Sequence, residues 1–169
     1  EGHTGLVRSL VISPESFFLY SASFDGTIRS WRFPFGPELK TILRSKGEIF
    51  GLALSPGGDL LVAAGADRVL SVFQMPDGKP VHEMEGHTAT ITNLVTAPDT
   101  EYVASYSRDR TIRVWNYVSG RQIQVIEDTQ DVITAVCIHP NEQVLITATL
   151  KGMIRLYNSP SGQIEVWLF

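Results

Sequence analysis

The sequence predicts an all-β chain of four tandem four-stranded antiparallel units, the arrangement of a β-propeller, and three observations carry that prediction. The first is a repeat: Trp31, Phe73, Trp115 and Tyr157 stand 42 residues apart, and so do Pro14, Pro56, Pro98 and Pro140, and Gly36, Gly78, Gly120 and Gly162. The second is a period-2 alternation of apolar and polar residues in short runs rich in Val, Ile, Phe, Tyr and Thr, separated by turn residues. The third is that no amphipathic stretch of helical length interrupts those runs. Four strands per unit of about 40–45 residues, repeated in tandem, is how propeller blades are built.

In the first unit the strands are read near residues 6–12, 17–23, 27–33 and 38–44. The turns between them fall at Ser13-Pro14-Glu15-Ser16, Asp25-Gly26 and Pro34-Phe35-Gly36-Pro37, where proline presets φ and glycine opens the left-handed region. The other units repeat the pattern, which places the blades at about 1–44, 45–86, 87–128 and 129–169.

Composition narrows the function classes. The chain has 169 residues, 43% hydrophobic and 19% charged, as in ordinary globular domains. Folding should bury about 70% of the surface of such a chain, enough for a core without staples. The net charge of −4 offers no footprint for a phosphate backbone or an anionic membrane, so neither nucleic acid nor membrane insertion is expected. Cys137 is a single cysteine and there is no Asn-x-Ser/Thr sequon, which fits an intracellular, reducing compartment, cytoplasmic or nuclear. The chain opens at Glu1-Gly2-His3 without an initiator Met, so a segment of a longer protein is expected.

The strings GHTGLVRSLVIS, SASFDGTIRSW, GHTATITNLV and SYSRDRTIRVWN now carry a family resemblance: the units are similar to WD repeats, with a Gly-His turn, a small-polar strand leading to an Asp turn, and a Trp strand. The resemblance spans essentially the whole chain. The Asp that ends the family's Trp strand is here Arg32, Gln74, Asn116 and Asn158. Arg44-Ser45 replaces Gly-His in the second unit, and in the fourth Asp128-Thr129 takes that place while Lys151 stands at the Asp position. These departures fall on the polar network of units two and four, not on the fold.

The resemblance implies a buried structural tetrad in which an Asp orients a His while a serine and an indole N–H complete the chain. It maps onto His3, Ser21 (ahead of Ser23), Asp25 and Trp31, and again onto His87, Ser105 (with Ser107 as the alternative), Asp109 and Trp115. A Ser-His-Asp catalytic triad uses the same residue types, but a nucleophile needs exposure beside an oxyanion hole, and a set that recurs reads as a structural device. His82 and His139 read as surface or turn residues. No ligand cluster at metal-binding spacing and no phosphate cradle appears, so no metal and no cofactor is expected. The four innermost strands, LVRSLVI, IFGLALS, ITNLVTA and VITAVCI, contain no Asp, Glu or His, and a channel lined by them lacks acid–base groups. No enzyme activity is expected.

Loops on a rigid scaffold are where recognition concentrates. The resemblance implies protein or peptide binding on the face carrying the Gly-His and Asp turns, and the positions expected to project there are Leu6, Phe24, Glu48, Thr90, Arg108 and Asp131. Four complete blades are expected to form about half a ring, with two apolar blade faces to cover. The candidates to cover them are the remaining blades of the parent protein or a second copy closing an eight-bladed ring. A purely architectural module in a large assembly is the alternative to an interaction scaffold.

Overall fold

The computed structural model describes residues 2–33, 38–96, 100–127, 131–139, 144–158 and 164–165. Every regular element among them is a strand, in four antiparallel meanders. The first sheet is β1 (Val7–Ile12), β2 (Phe18–Ser23), β3 (Thr27–Arg32) and β4 (Glu38–Arg44). The second is β5 (Ile49–Leu54), β6 (Leu60–Gly65), β7 (Leu70–Gln74) and β8 (Lys79–Met84). The third is β9 (Ile91–Thr96), β10 (Tyr102–Ser107), β11 (Thr111–Asn116) and β12 (Arg121–Glu127). The fourth is β13 (Ile133–Ile138), β14 (Val144–Thr149), β15 (Ile154–Asn158) and β16 (Ile164–Glu165). Each strand of the first unit ends within one residue of its sequence-based expectation. The expected turn at Pro34-Phe35-Gly36-Pro37 and the Asp128-Thr129 pair lie outside the described residues.

The repeat extends to an irregularity. Each innermost strand carries a bulge at one repeat position: Arg8, Phe50, Thr92 and Thr134 are the extra residues that shift the register against the second strand. A bulge bends its strand and re-aims one side chain, here at the strand end nearest the turns between second and third strands.

Apolar cores lie between sheets, not within them. Tyr20, Ala22 and Ile28 of the first sheet meet Ile49, Leu52, Leu61 and Phe73 of the second. Val62, Ala64 and Leu70 meet Ile91, Leu94, Val103 and Trp115, and Ala104, Tyr106 and Ile112 meet Ile133, Leu145 and Tyr157. The second and third sheets are therefore covered on both faces, which is why β6 (LLVAAG) is buried at every position rather than alternating. Polar ties cross the same seams: the Leu52 N–H donates to Ser9 Oγ at 3.1 Å, and His82 Nε2 donates to the Val118 carbonyl at 2.8 Å.

The outer sheets keep one face open. Ile49, Ile91 and Ile133 are at most 3% exposed, whereas Val7, at the same repeat position in the first sheet, is 45% exposed. Leu10 is 58% exposed where Leu52 and Leu94 are buried. At the other end Cys137 and Ile154 are exposed. Among the described residues no helix is long and apolar enough to cross a membrane.

Candidate functional site

In the third sheet the expected tetrad residues form one continuous chain of hydrogen bonds. His87 Nδ1 lies 2.8 Å from Asp109 Oδ2, His87 Nε2 lies 2.8 Å from Ser105 Oγ, and Trp115 Nε1 donates to that hydroxyl at 2.8 Å. One proton assignment satisfies every atom: Nδ1–H donates to the carboxylate, and the Nε2 lone pair accepts the serine proton. The first sheet repeats the set, with His3 Nδ1 3.0 Å from Asp25 Oδ2, His3 Nε2 2.6 Å from Ser21 Oγ, and Trp31 Nε1 donating to Ser21 at 2.7 Å. Ser23 and Ser107, the alternatives, instead accept from the Asp25 and Asp109 backbone N–H groups.

The electrostatics fit a structural clamp. Burial alone would raise the Asp109 carboxyl, but hydrogen bonds from Thr111 Oγ1, Thr88 N, His87 and Thr111 N outweigh it and hold the pKa down to about 2. Asp25 is held well below the usual carboxylate range against the same burial effect by Thr27, Thr4 and His3. Burial, aided by Arg113, pushes His87 below its ordinary value despite Asp109, which keeps the ring neutral, as the proton assignment requires. Ser105 is 0% exposed, so a substrate cannot reach its hydroxyl.

The other two sheets solve the same problem differently. In the second, Ala63 and Phe73 take the serine and tryptophan positions and join the apolar core, while Ser45, at the histidine position, donates directly to Asp67 Oδ2 at 2.8 Å. In the fourth, Thr147 stands at the serine position and its hydroxyl is buried without a hydrogen-bond partner among the described residues. The acidic group has moved there to the loop before β13: Asp131 Oδ2 accepts the Lys151 N–H at 2.7 Å and Oδ1 accepts the Val132 N–H at 2.8 Å. Burial opposes ionisation of Asp131, but hydrogen bonds from Thr149 and these two amides outweigh it and lower its pKa.

These clamps hold one loop face. Its projecting positions come in backbone-locked pairs at a constant step: Phe24 N donates to Leu6 O, Ala66 N to Glu48 O, Arg108 N to Thr90 O, and Leu150 N to Val132 O, all at 2.8–3.0 Å. Leu6, Glu48 and Arg108 are exposed, and Thr90 is half-buried. Phe24 is half-buried because its ring leans on Phe50, with centroids 4.9 Å apart. Asp131 corrects the expectation that it projects: it is 8% exposed with both oxygens engaged, and the position in register with Leu6, Glu48 and Thr90 is Val132.

Two sets of residues escaped the sequence reading. Thr27 and Thr111 donate to Asp25 Oδ1 and Asp109 Oδ1 at 2.6 and 2.7 Å, and their recurrence two units apart was the available signal. The second set is the turn position that follows Asp25, Asp67, Asp109 and Lys151, namely Gly26, Arg68, Arg110 and Gly152, where φ is positive throughout, between 67° and 83°. Glycine in two of the four units marked that position. Among the described residues no group of His, Cys, Asp and Glu could hold a metal ion.

The family model described as WD domain, G-beta repeat, matches residues 1–32, 36–74, 78–116 and 120–158. The chain is similar to the solved structure of U3-55K, with a TM-score of 0.91 at 21% identity over 99% of this chain and 53% of that one. It is equally similar to the crystal structure of RRP9 WD40 repeats, with a TM-score of 0.91 at 21% identity over 99% of this chain and 52% of that one. The chain thus spans about half the length of both. No curated protein matches it.

Proposed function

Because the chain belongs to the WD-repeat family, we propose that it is a non-catalytic interaction scaffold inside the cell, binding other proteins or peptides through its loop face. The observation that carries this reading is the division of labour in each repeat. The clamp side chains are spent internally, while the locked pairs Leu6 with Phe24, Glu48 with Ala66, Thr90 with Arg108, and Val132 with Leu150 stand on rigid turns. Aromatic and arginine side chains on fixed backbone are common binding hot spots. The test is partner capture by the wild-type protein and by a Phe24→Ala, Arg108→Ala variant. Loss of the same captured proteins at unchanged melting temperature supports the reading, and identical capture overturns it.

A second reading, an architectural module, is favoured by the open sheet faces. Val7 and Leu10 at one end and Cys137 and Ile154 at the other expose positions that neighbouring sheets bury elsewhere in the chain. The face on the fourth sheet has the character that the first sheet's open face would pack against, so further blades or a second copy could cover both.

A further inference from the structure

We infer that the open faces of the first and fourth sheets are partners for each other across two copies of this chain, which close head to tail into one ring. The inference deepens the architectural reading and does not depend on the loop face. Its basis is that the seams between sheets are of two kinds, which alternate along the chain. Between the first and second sheets, and again between the third and fourth, the earlier sheet brings a tyrosine, Tyr20 or Tyr106, to a core that the later sheet shares through Phe73 or Tyr157. Between the second and third sheets the two tyrosine positions hold Val62 and Ala64, and the later sheet supplies Trp115. Bulk is exchanged across the seam: where the earlier sheet gives up a ring, the later one brings the larger indole, as close packing requires.

The two open faces are the two halves of a seam of this second kind. On the fourth sheet Ile146 and Ala148 stand at the tyrosine positions, and Cys137 and Ile154 stand two units on from Ala53 and Leu70. On the first sheet Val7, Leu10, Leu19, Trp31 and Phe33 stand two units before Ile91, Leu94, Val103, Trp115 and Tyr117. The counterparts in the second and third sheets are all buried, and none of the residues on the open faces is. Leu10 is 58% exposed where Leu94 is 7%, and Ile154 is 39% exposed where Leu70 is 0%.

Trp31 therefore calls for a sheet face without a tyrosine. The second sheet's face of that type is already spent on the third sheet, which leaves the fourth sheet's to meet it. Within one copy these faces lie at opposite ends of the row of sheets. Two copies related by a two-fold axis make the seam twice and leave neither face open. Twice four sheets is also within the range of about four to eight blades over which propellers close.

Light scattering after size exclusion, with labelling of Cys137 by a thiol reagent, tests the pair in the wild type over a concentration series. The mass should rise to twice 18.7 kDa and no further, and Cys137 should label at least about ten-fold more slowly in the dimer. Leu10→Glu and Ile154→Glu should each hold the chain at the monomer mass with the wild-type circular dichroism, since both residues are exposed in the single copy. A dimer that survives either substitution, or whose Cys137 labels at the monomer rate, overturns the head-to-tail seam. Growth past two copies overturns the closed pair. So does a monomer at every concentration: one that precipitates on concentrating leaves the faces to further sheets, and one that stays monodisperse removes the architectural reading as well.

Discussion

The Asp131 carboxylate accepts the backbone N–H of Lys151 at 2.7 Å, and in doing so ties the same two loops that Asp25 ties by accepting the N–H of Thr4 at 2.9 Å. The direction is reversed. In the first and third sheets the acid sits on the turn between second and third strands and reaches back to the loop before the innermost strand. In the fourth the acid sits on that loop and reaches forward to the turn. The connection is kept while the residue supplying it moves across it, so Lys151 at the usual Asp position breaks the motif without opening the junction.

Replacing Asp131 should therefore release the fourth sheet's loops. Asp131→Ala removes the acceptor for two amides and should lower the melting temperature. Asp131→Asn, which keeps one carbonyl oxygen, should fall between Ala and wild type in thermal denaturation. A melting temperature unchanged in both would mean that water serves these amides equally well.

Equivalent substitutions at one repeat position should have opposite signs. Ser105 Oγ joins His87 to Trp115, so Ser105→Ala leaves two buried groups unpaired and should cost about 1–3 kcal/mol. That corresponds to a fall of several degrees in melting temperature, at roughly 2–4 °C per kcal/mol for a chain of this size. Thr147 Oγ1 is buried without a partner among the described residues, so Thr147→Val should be neutral or stabilising. Calorimetry of the two variants decides it.

Acid should destabilise the fold in two steps. His87 is held neutral below its ordinary value, so its contribution is fully present above the unfolded-state value of about 6.5 and declines as the pH falls through it. Asp109, depressed to about 2, contributes fully above the unfolded-state value of about 4 and loses that contribution as the pH falls toward its folded value. Melting temperature against pH should show both declines, and His87→Gln should remove the first. A flat profile in the wild type between about pH 7.5 and 5 would contradict the neutral, buried imidazole.

Cys137 reports on the open face of the fourth sheet. Its repeat equivalents Val11, Ala53 and Val95 all pack against the following sheet. If a second copy covers that face, thiol labelling should slow as protein concentration rises, in parallel with a doubling of mass from 18.7 kDa by light scattering. Labelling independent of concentration, with a constant monomer mass, rules out a second copy as the cover.

The strands were legible because a 42-residue step aligns turn residues with alternating runs: Phe18–Ser23 and Thr27–Arg32 lie where period and alternation put them. His87 and Asp109 were legible as a pair through the family resemblance, which maps the same set onto His3 and Asp25. What the sequence hid depends on geometry that letters do not carry. The positive φ of Arg68 and Arg110 is invisible in an Asp-Arg dipeptide. The burial of Asp131 depends on which of two neighbours, Asp131 or Val132, stands in register with Leu6. Nor did the sequence disclose the bulges at Arg8, Phe50, Thr92 and Thr134, which share no one residue type.

Because each apolar core is shared by two neighbouring sheets, no sheet owns the material that stabilises it. Duplicating a 42-residue unit adds a sheet and a seam together, so such a chain can lengthen without redesigning what it already has. Deleting an inner unit, by contrast, makes two faces meet that were not partners, and their side chains differ: Tyr20, Val62 and Ala104 stand at one repeat position of the seams. The seam is thus the heritable element of this architecture, and the loops above it are left free to diverge.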